Sequence, residues 1–242
     1  MICFCGGLFL YGKVCYNGSK SDNEPFLLTA SLNWLQVTGS GTGLSQHIME
    51  MRRGVMEYRF RLAETSECKE IVALYTGAIQ HQIEQKIYQW DELYPNEKVL
   101  TGDIMNREMY VLTKGAKILA CVVLNEEQDL EYQTGAWSYR EGRIAVIHRL
   151  CVNHTLQGGG FGRLTMGYAE QKIKAEGYSS IRLDTFSENV ISRKLYESLG
   201  YTYAGTVTFR KGLFYLMEKS CEAIQEDSKK RLEVRYEDTD TR

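Results

Sequence analysis

The chain has little of what several function classes require. Its 242 residues hold 29 Lys+Arg against 31 Asp+Glu, a formal net charge of −2. A chain so near neutrality lacks the basic excess of a non-specific nucleic-acid binder. No stretch approaches the roughly 18 consecutive apolar residues of a membrane helix. Neither nucleic acid nor a membrane is therefore expected as a partner. The seven cysteines, Cys3, Cys5, Cys15, Cys68, Cys121, Cys151 and Cys221, include no C-x-x-C pair. Neither a zinc site nor a disulfide framework is indicated, and no metal is expected. Cys3, Cys5 and Cys15 are crowded, but no histidine or fourth cysteine lies near them to complete a ligand set. The thiols read as reduced and mostly buried, which suits a cytoplasmic protein. The apolar run Ile2 to Tyr11 lacks the preceding basic segment that a secretory signal needs.

What is present is ordinary globular material, with 43% hydrophobic and 25% charged residues. The length suits one domain with an addition, or two small ones. Residues 1–55 differ from the rest. They are rich in Gly, Ser, Asn and Thr (Asn17-Gly18-Ser19, Thr38-Gly39-Ser40-Gly41-Thr42-Gly43) and read as a linker-like, disordered extension. A competing explanation is a start at Met56. Arg52-Arg53-Gly54 can be encoded by a purine-rich run that resembles a bacterial ribosome-binding site at a short distance upstream. The folded domain is expected over 56–219, and 220–242 reads as a charged tail.

From Glu57 onward the periodicity is clear. Tyr58–Leu62 alternates as a strand. Apolar residues at Ile71, Leu74, Tyr75, Ala78, Ile79, Ile83 and Ile87 mark an amphipathic helix capped by Thr65 or Ser66. A shorter helix is expected from Glu97 to Arg107. Met109–Thr113 and Lys117–Leu124 form a hairpin across Lys114-Gly115. Then come a strand at Arg143–Val152, a helix from Gly158–Gly160 to Glu176, a strand at Ser180–Phe186 and a helix at Val190–Leu199. A closing hairpin joins Tyr201–Phe209 to Leu213–Glu218. The order β-α-α-β-β-β-α-β-α-β-β predicts an α/β fold: a mixed sheet of about seven strands with helices on both faces.

The informative segment is Gln157-Gly158-Gly159-Gly160-Phe161-Gly162-Arg163, between a strand and a helix. Glycines there let backbone N–H groups converge at the positive end of a helix dipole, a site for a pyrophosphate-sized anion. Familiar nucleotide motifs fail. A G-x-G-x-x-G from Gly158 would need glycine where Arg163 stands, and Gly162-Arg163-Leu164 does not end a P-loop. That argues against a nucleotide-binding oxidoreductase.

Gln157, Gly160 and Gly162 do fit Q/R-x-x-G-x-G/A, following the strand Leu150-Cys151-Val152. This resembles motif A of the GNAT N-acetyltransferase superfamily. Downstream, Asn189, Ser192, Leu195, Tyr196 and Leu199-Gly200-Tyr201 match that family's N-x-x-[AS]-x-x-L-Y-x-x-x-G-[FY] segment. The resemblance spans roughly Glu57 to Lys219. It implies a sheet splayed at a cofactor cleft, acetyl-CoA as acyl donor and direct transfer to a primary amine. It further implies that Leu150, Cys151 and Val152 flank the pantetheine, and that Gly158, Gly159, Gly160, Phe161 and Gly162 hold the pyrophosphate with Arg163 adding charge. Asn189 and Ser192 would serve the CoA arm, and Tyr196 would be the general acid. The spacing His148-x-Leu150-x-Val152 is similar to the arylalkylamine branch, where a histidine is a proposed base. An unbulged strand would put His148 on one face with Leu150 and Val152, and Cys151 on the other.

Each residue also has a plainer reading: Tyr196 as a core tyrosine, Asn189 as a helix N-cap, His148 as a histidine bonded to a carbonyl, and His154 as a loop residue. Acceptor choice is expected among Tyr88, Trp90, Asp91, Glu92, Tyr94, Glu131, Tyr132, Trp137, Tyr139 and Tyr215. Aromatics mixed with carboxylates suit a cationic amine, although surface aromatics also serve homodimer contacts. Two alternatives to a small-amine acceptor remain open: acetylation of protein N-termini or lysines, and an acyl-CoA sensor without turnover.

Overall fold

The computed structural model describes residues 58–224. The expectations for 1–55, and for the tail beyond Ile224, lie outside the described residues. Seven strands form one open sheet: β1 (Tyr58–Leu62), β2 (Met109–Lys114), β3 (Lys117–Asn125), β4 (Ile144–Val152), β5 (Ser180–Phe186), β6 (Thr202–Phe209) and β7 (Gly212–Ser220). Their order is β1-β2-β3-β4-β5-β7-β6, with β4–β5 parallel and all other neighbours antiparallel. Four helices cover it: α1 (Cys68–Glu84), α2 (Glu97–Met105), α3 (Phe161–Ala175) and α4 (Val190–Ser198).

The element order is the expected one, and the departures are at ends. The expected Thr65/Ser66 cap is instead a 3-10 turn, Thr65–Glu67, closed by a capping box between Glu64 and Glu67. Ile87 lies past the end of α1 and packs under the closing hairpin. The sheet continues through Ser220, and Cys221 and Ile224 are buried against α3, so packing extends past the expected boundary at Lys219.

Strand alternation assigns the helices to faces. On β3, Cys121 and Val123 join Ile71, Leu74, Tyr75 and Ala78 of α1 and Leu100 and Ile104 of α2. Val122 points the other way, with Ala145, Ile147, Ile181 and Leu183, onto Met166, Ala169 and Ile173 of α3 and Tyr196 of α4. Burying each such aliphatic side chain contributes about 1.5–3 kcal/mol. The central strands thus have apolar runs because both of their faces are covered.

Candidate active site

The site begins with a failure of pairing. β4 and β5 are matched only at Ile144–Ser180, Ala145–Ile181 and Val146–Arg182. Beyond that point β4 stays with β3 as far as Val152, and β5 stays with β7 as far as Phe186. The two parallel strands therefore part and leave a wedge that opens toward their C-terminal ends. Ligands in α/β sheets bind at such carboxyl-end crevices.

A bulge bends β4 at the wedge. Cys121 pairs with Cys151 and Val123 with His148, so β4 carries one residue more than β3 between these pairs. Arg149 in this stretch takes φ 52°, a left-handed conformation unusual for a non-glycine residue. Its surroundings hold it there. Nε and Nη2 fork onto Asp103 of α2 at 2.9 and 2.7 Å, and Nη1 donates to the Tyr94 hydroxyl at 2.7 Å. The Arg149 carbonyl accepts from the Tyr75 hydroxyl at 2.6 Å.

The bulge corrects the expected alternation. His148 and Cys151 pair with Val123 and Cys121, which face α1, and so share that face. Leu150 and Val152 pack on the opposite face, toward α3. His148 is thus on the other side of the wedge from the strand positions expected beside the pantetheine. Cys151 is buried in the α1 core, and burial pushes its thiol above the usual range, which suppresses nucleophilicity.

His148 follows the last paired residue of β4 by the same step as Asp184 follows that of β5, so the two stand on opposite arms of the wedge. His148 Nε2 lies 3.0 Å from Asn125 Oδ1 and 3.1 Å from the Glu127 carbonyl. A backbone carbonyl only accepts, so Nε2 carries the hydrogen and Nδ1 keeps a lone pair. Burial, aided by the Arg149 charge, pushes its pKa down to about 4. Asp184 goes the other way. Burial pushes its carboxyl up to about 6, overcoming the 2.7 Å bond donated by the Tyr132 hydroxyl, and Asp129 adds to the rise. Asp184 was not singled out from sequence. The signal was there, as a carboxylate in the otherwise apolar second half of Ile181-Arg182-Leu183-Asp184.

Tyr196 sits on α4 facing the sheet, 7% exposed, with its ring edge-on to Tyr201. Burial first, then the negative charge of Asp184, raises its phenol above the usual range, so it is protonated at neutral pH. Of the two readings of Asn189, the structure shows the N-cap. Its Oδ1 accepts from the Ser192 backbone at 3.1 Å and caps α4, while its Nδ2 donates to Gln89 Oε1 at 2.9 Å.

The glycine segment lies at the N-terminus of α3. Gly158 and Gly160 have φ of 82° and 79°, and Gly160 is the N-cap with no side-chain cap on the helix. The first-turn N–H groups of α3 are therefore uncapped by any side chain. At Gly162 an added Cβ would come within 3.3 Å of Leu195 and 3.6 Å of Val152, so its smallness lets α3, α4 and β4 meet. Gln157, Gly158 and Gly159 are exposed, and Phe161 packs edge-on against Tyr58. The Arg163 guanidinium reaches the Ser198 hydroxyl on α4 rather than the glycine loop. His154 packs over Gly77 of α1, with its ring tilted beside His81.

The expected acceptor residues divide. Trp90 is core, tilted on Tyr75. Trp137 is buried and donates to the Tyr132 carbonyl. Asp91 is occupied by Arg210 and Lys211. Tyr215 packs on Tyr203 and Arg193. Tyr94 and Tyr132 remain grouped around Asp184, whose charge acts on both. Beside them Gln128, Asp129, Tyr132, Gln133, Trp137 and Arg182 line a cavity of about 280 Å³. Among the described residues, no group of three or more His, Cys, Asp or Glu could hold a metal ion.

Comparisons agree with this geometry. The model of the acetyltransferase (GNAT) family matches residues 67–201. An acetyltransferase of the GNAT family from Streptococcus agalactiae superposes with a TM-score of 0.60 at 22% identity, over 68% of this chain and 95% of that one. An acetyltransferase from Staphylococcus aureus gives 0.54 at 24% identity, over 67% and 98%. An N-acetyltransferase from Thermoplasma acidophilum, solved in complex with coenzyme A, gives 0.52 at 14% identity, over 68% and 99%. None of the curated proteins matches the chain.

Proposed function

The chain belongs to the acetyltransferase (GNAT) family and is an acetyl-CoA-dependent N-acetyltransferase; from that premise we propose that its acceptor is a small primary amine, acetylated by direct transfer in a ternary complex. The donor side of this reading is carried by the pairing lost beyond Val146 and Arg182, beside the uncapped N-terminus of α3, and the amine side by Asp184 with Tyr94 and Tyr132 grouped around it.

Acetyl-CoA supplies a thioester acetyl group and a thiol leaving group. Backbone N–H groups of the Gly158–Gly162 segment at the helix end, apart from that of Gly159, which donates to the Leu156 carbonyl, would bind its pyrophosphate. The open space around Gly158 and Gly160 fits a ligand lying close to the backbone. Leu150, Cys151 and Val152 belong to the unpaired edge of β4, where the pantetheine amides would add as a strand does. Ser192 and the capping Asn189 hold α4 at the mouth. Arg163, turned toward Ser198, would serve by steadying α4 against α3.

Proton traffic follows from the two faces. Tyr196, protonated and on the α3 side, donates to the leaving sulfur. Asp184 takes the proton from the amine. A base with pKa about 6 is largely ionised at pH 7 and stronger than one at about 4. Its charge, with Asp129 nearby, also attracts a cationic amine, and the exposed Tyr94 offers a ring face. A second reading, His148 as base through Nδ1, rests on its neutral ring at the opposite arm. The free thiols of Cys68, Cys121, Cys151 and Cys221 suit a reducing cytoplasm.

The test is thiol release from acetyl-CoA across a panel of amines, with thiol background subtracted. Turnover with small amines, lost mainly in kcat in Tyr196→Phe, supports the reading. Acetylation of protein amines alone, or binding without turnover, would replace it with one of the two alternatives.

A further inference from the structure

Behind α4 the core holds two opposite charges that the proton traffic does not use. Lys219 stands on β7 two residues after Met217, on the face covered by α3 and α4, with its side chain 1% exposed. Its Nζ donates to Glu170 Oε2 of α3 at 3.0 Å, and the Glu170 side chain is 5% exposed. Burying such a pair desolvates both groups, and apolar residues of similar volume often pack as stably. What the pair adds is therefore geometry rather than stability.

Its geometry is that of a fastener between three elements. Besides Glu170, Lys219 Nζ donates to the Leu199 carbonyl at 2.6 Å. Leu199 is the C-cap of α4, and a helix end leaves its last carbonyls without partners in the helix, at the negative end of the dipole. The N–H of the same Leu199 donates to the Tyr196 carbonyl at 3.0 Å, and the Tyr201 N–H donates to that oxygen at 3.1 Å. The Tyr201 ring lies edge-on to Tyr196 with centroids 5.9 Å apart, and the Lys219 ammonium lies 5.7 Å from the Tyr201 centroid. Lys219 is thus joined to Tyr196 twice, through the backbone of Leu199 and through the ring of Tyr201.

The helix it holds has few other anchors. Tyr196 is the buried residue of the nine in α4, so little apolar packing fixes how the helix sits. Asn189 caps its start, and Arg163 reaches Ser198 from the exposed side. Lys219 holds its end from within. Glu170 belongs to α3, whose N-terminus carries the glycine segment, so one buried ammonium ties the expected anchor of the donor to the expected acid.

We propose that Lys219, seated on Glu170, is a positioning residue for acyl transfer: it locks the last turn of α4 against α3 and so sets the Tyr196 hydroxyl relative to the thioester sulfur of a donor bound at the start of α3. The inference rests on the acyl-transfer reading above, with Tyr196 as its acid. Lys219 and Glu170 act through Tyr196 and touch neither donor nor amine.

The experiment measures kcat and both KM values with acetyl-CoA and phenethylamine. The pair is replaced in Lys219→Met/Glu170→Met, and in Lys219→Met/Glu170→Gln, whose amide keeps a polar group beside Tyr201. Each replacement is made in wild type and in Tyr196→Phe. Lys219→Arg/Glu170→Asp keeps an ion pair with donors for the Leu199 carbonyl. Urea unfolding gives the folded fraction to which kcat is referred. In wild type, both replacements should lower kcat about 10- to 100-fold, the scale of a reacting group displaced by about 1 Å. The KM for acetyl-CoA should change less than about twofold. In Tyr196→Phe the same replacements should change kcat less than about twofold, because the group they position is gone. Lys219→Arg/Glu170→Asp should recover most of the lost kcat. A replacement that folds and keeps the wild-type kcat overturns the positioning role and leaves the acyl-transfer reading standing. So does an equal loss with and without the Tyr196 hydroxyl, which is what a merely structural pair would give. Failure of both replacements to fold makes the pair a stability element and overturns the role as well. An unaltered kcat in Tyr196→Phe removes the acid and the positioning role with it. Absence of wild-type turnover with every amine of the panel overturns the reading and the inference together.

Discussion

Two side chains on opposite arms of the wedge can each receive the amine proton, and their environments push them apart in a way that pH resolves. Burial raises Asp184 to about 6 and lowers His148 to about 4. A base works only in its deprotonated form, and kcat/KM against pH reports the free enzyme. With Asp184 as base, the acid limb bends at about pH 6. With His148 it bends at about pH 4. At pH 5 the deprotonated fraction is roughly one tenth for a group at 6 and nine tenths for a group at 4. The two assignments therefore differ by about tenfold in rate at a single pH, well beyond assay error.

The assay is thiol release with one amine at pH 4.5 to 8, for wild type, Asp184→Asn and His148→Ala. Titration of the amine itself is common to all three and cancels in the ratio of variant to wild type. The expected outcome is a wild-type limb near 6, a loss of about 10²–10⁴-fold at pH 7 in Asp184→Asn, and a His148→Ala profile that keeps the limb near 6. A wild-type limb near 4 that disappears in His148→Ala refutes the Asp184 assignment and moves the role to His148. Asp184→Asn is nearly isosteric and still accepts from the Tyr132 hydroxyl, so its loss of rate would not report a collapsed site.

Other consequences follow from the same geometry. Between its usual value near 4 and about 6, folded Asp184 keeps a proton that the unfolded chain has lost. Its contribution is present below pH 4 and lost as pH rises through 6, on the order of 3 kcal/mol. Urea unfolding from pH 4 to 7 should show wild type losing that amount relative to Asp184→Asn; equal slopes contradict the raised pKa. Asp103→Ala leaves the Arg149 guanidinium, whose side chain is 11% exposed, without its forked partner. It should cost about 3–5 kcal/mol in denaturant unfolding, and a cost below 1 kcal/mol would show that the bulge does not depend on the pair. Gly162→Leu places a branched side chain where Leu195 already lies 3.3 Å from an added Cβ. It should raise the KM for acetyl-CoA more than the KM for the amine. Gly160→Ala meets open space but keeps φ at 79°, so it should cost about 1 kcal/mol through backbone strain alone.

Much of the fold was legible because its signals are local. Ile71, Leu74, Tyr75 and Ala78 recur at helical spacing, and all four are buried where that spacing puts them. Ser180–Phe186 was read to the residue, since a short apolar run between Gly177 and Asn189 has few alternatives to a strand. The glycine segment announced a helix start, and Gly160 is the N-cap of α3. What was not legible depends on tertiary contacts. Ile87 fits the helical period but lies past the end of α1, because the Gln82 carbonyl accepts from its N–H in a turn that ends the helix. Asp91 read as a free carboxylate, and only the fold brings Arg210 and Lys211 to it from 119 and 120 positions away.

The bulge is the sharpest instance, because a strand's faces depend on counting and one extra residue inverts the count. Up to His148 the alternation of β4 runs as the sequence suggests. At Arg149 the chain takes a left-handed step. Leu150 and Val152 then turn to the α3 face, and His148 is left on the face of α1. No glycine or asparagine marks the position, so propensity gives no warning. The step is stabilised from outside the strand, by Asp103, Tyr94 and the Tyr75 hydroxyl, each distant in sequence. On the proposed reading, a wedge with the donor on one side and the proton acceptors on the other needs such an inversion. In an unbulged β4, His148 would crowd the strand positions expected to flank the donor. Replacing Asp103 should therefore disturb more than stability. If it lets Arg149 relax toward extended backbone, the two faces exchange beyond that point, and acetyl-CoA affinity falls together with amine turnover. Loss of stability with unchanged acetyl-CoA affinity in the protein that remains folded would show that the bulge is held by the strand itself.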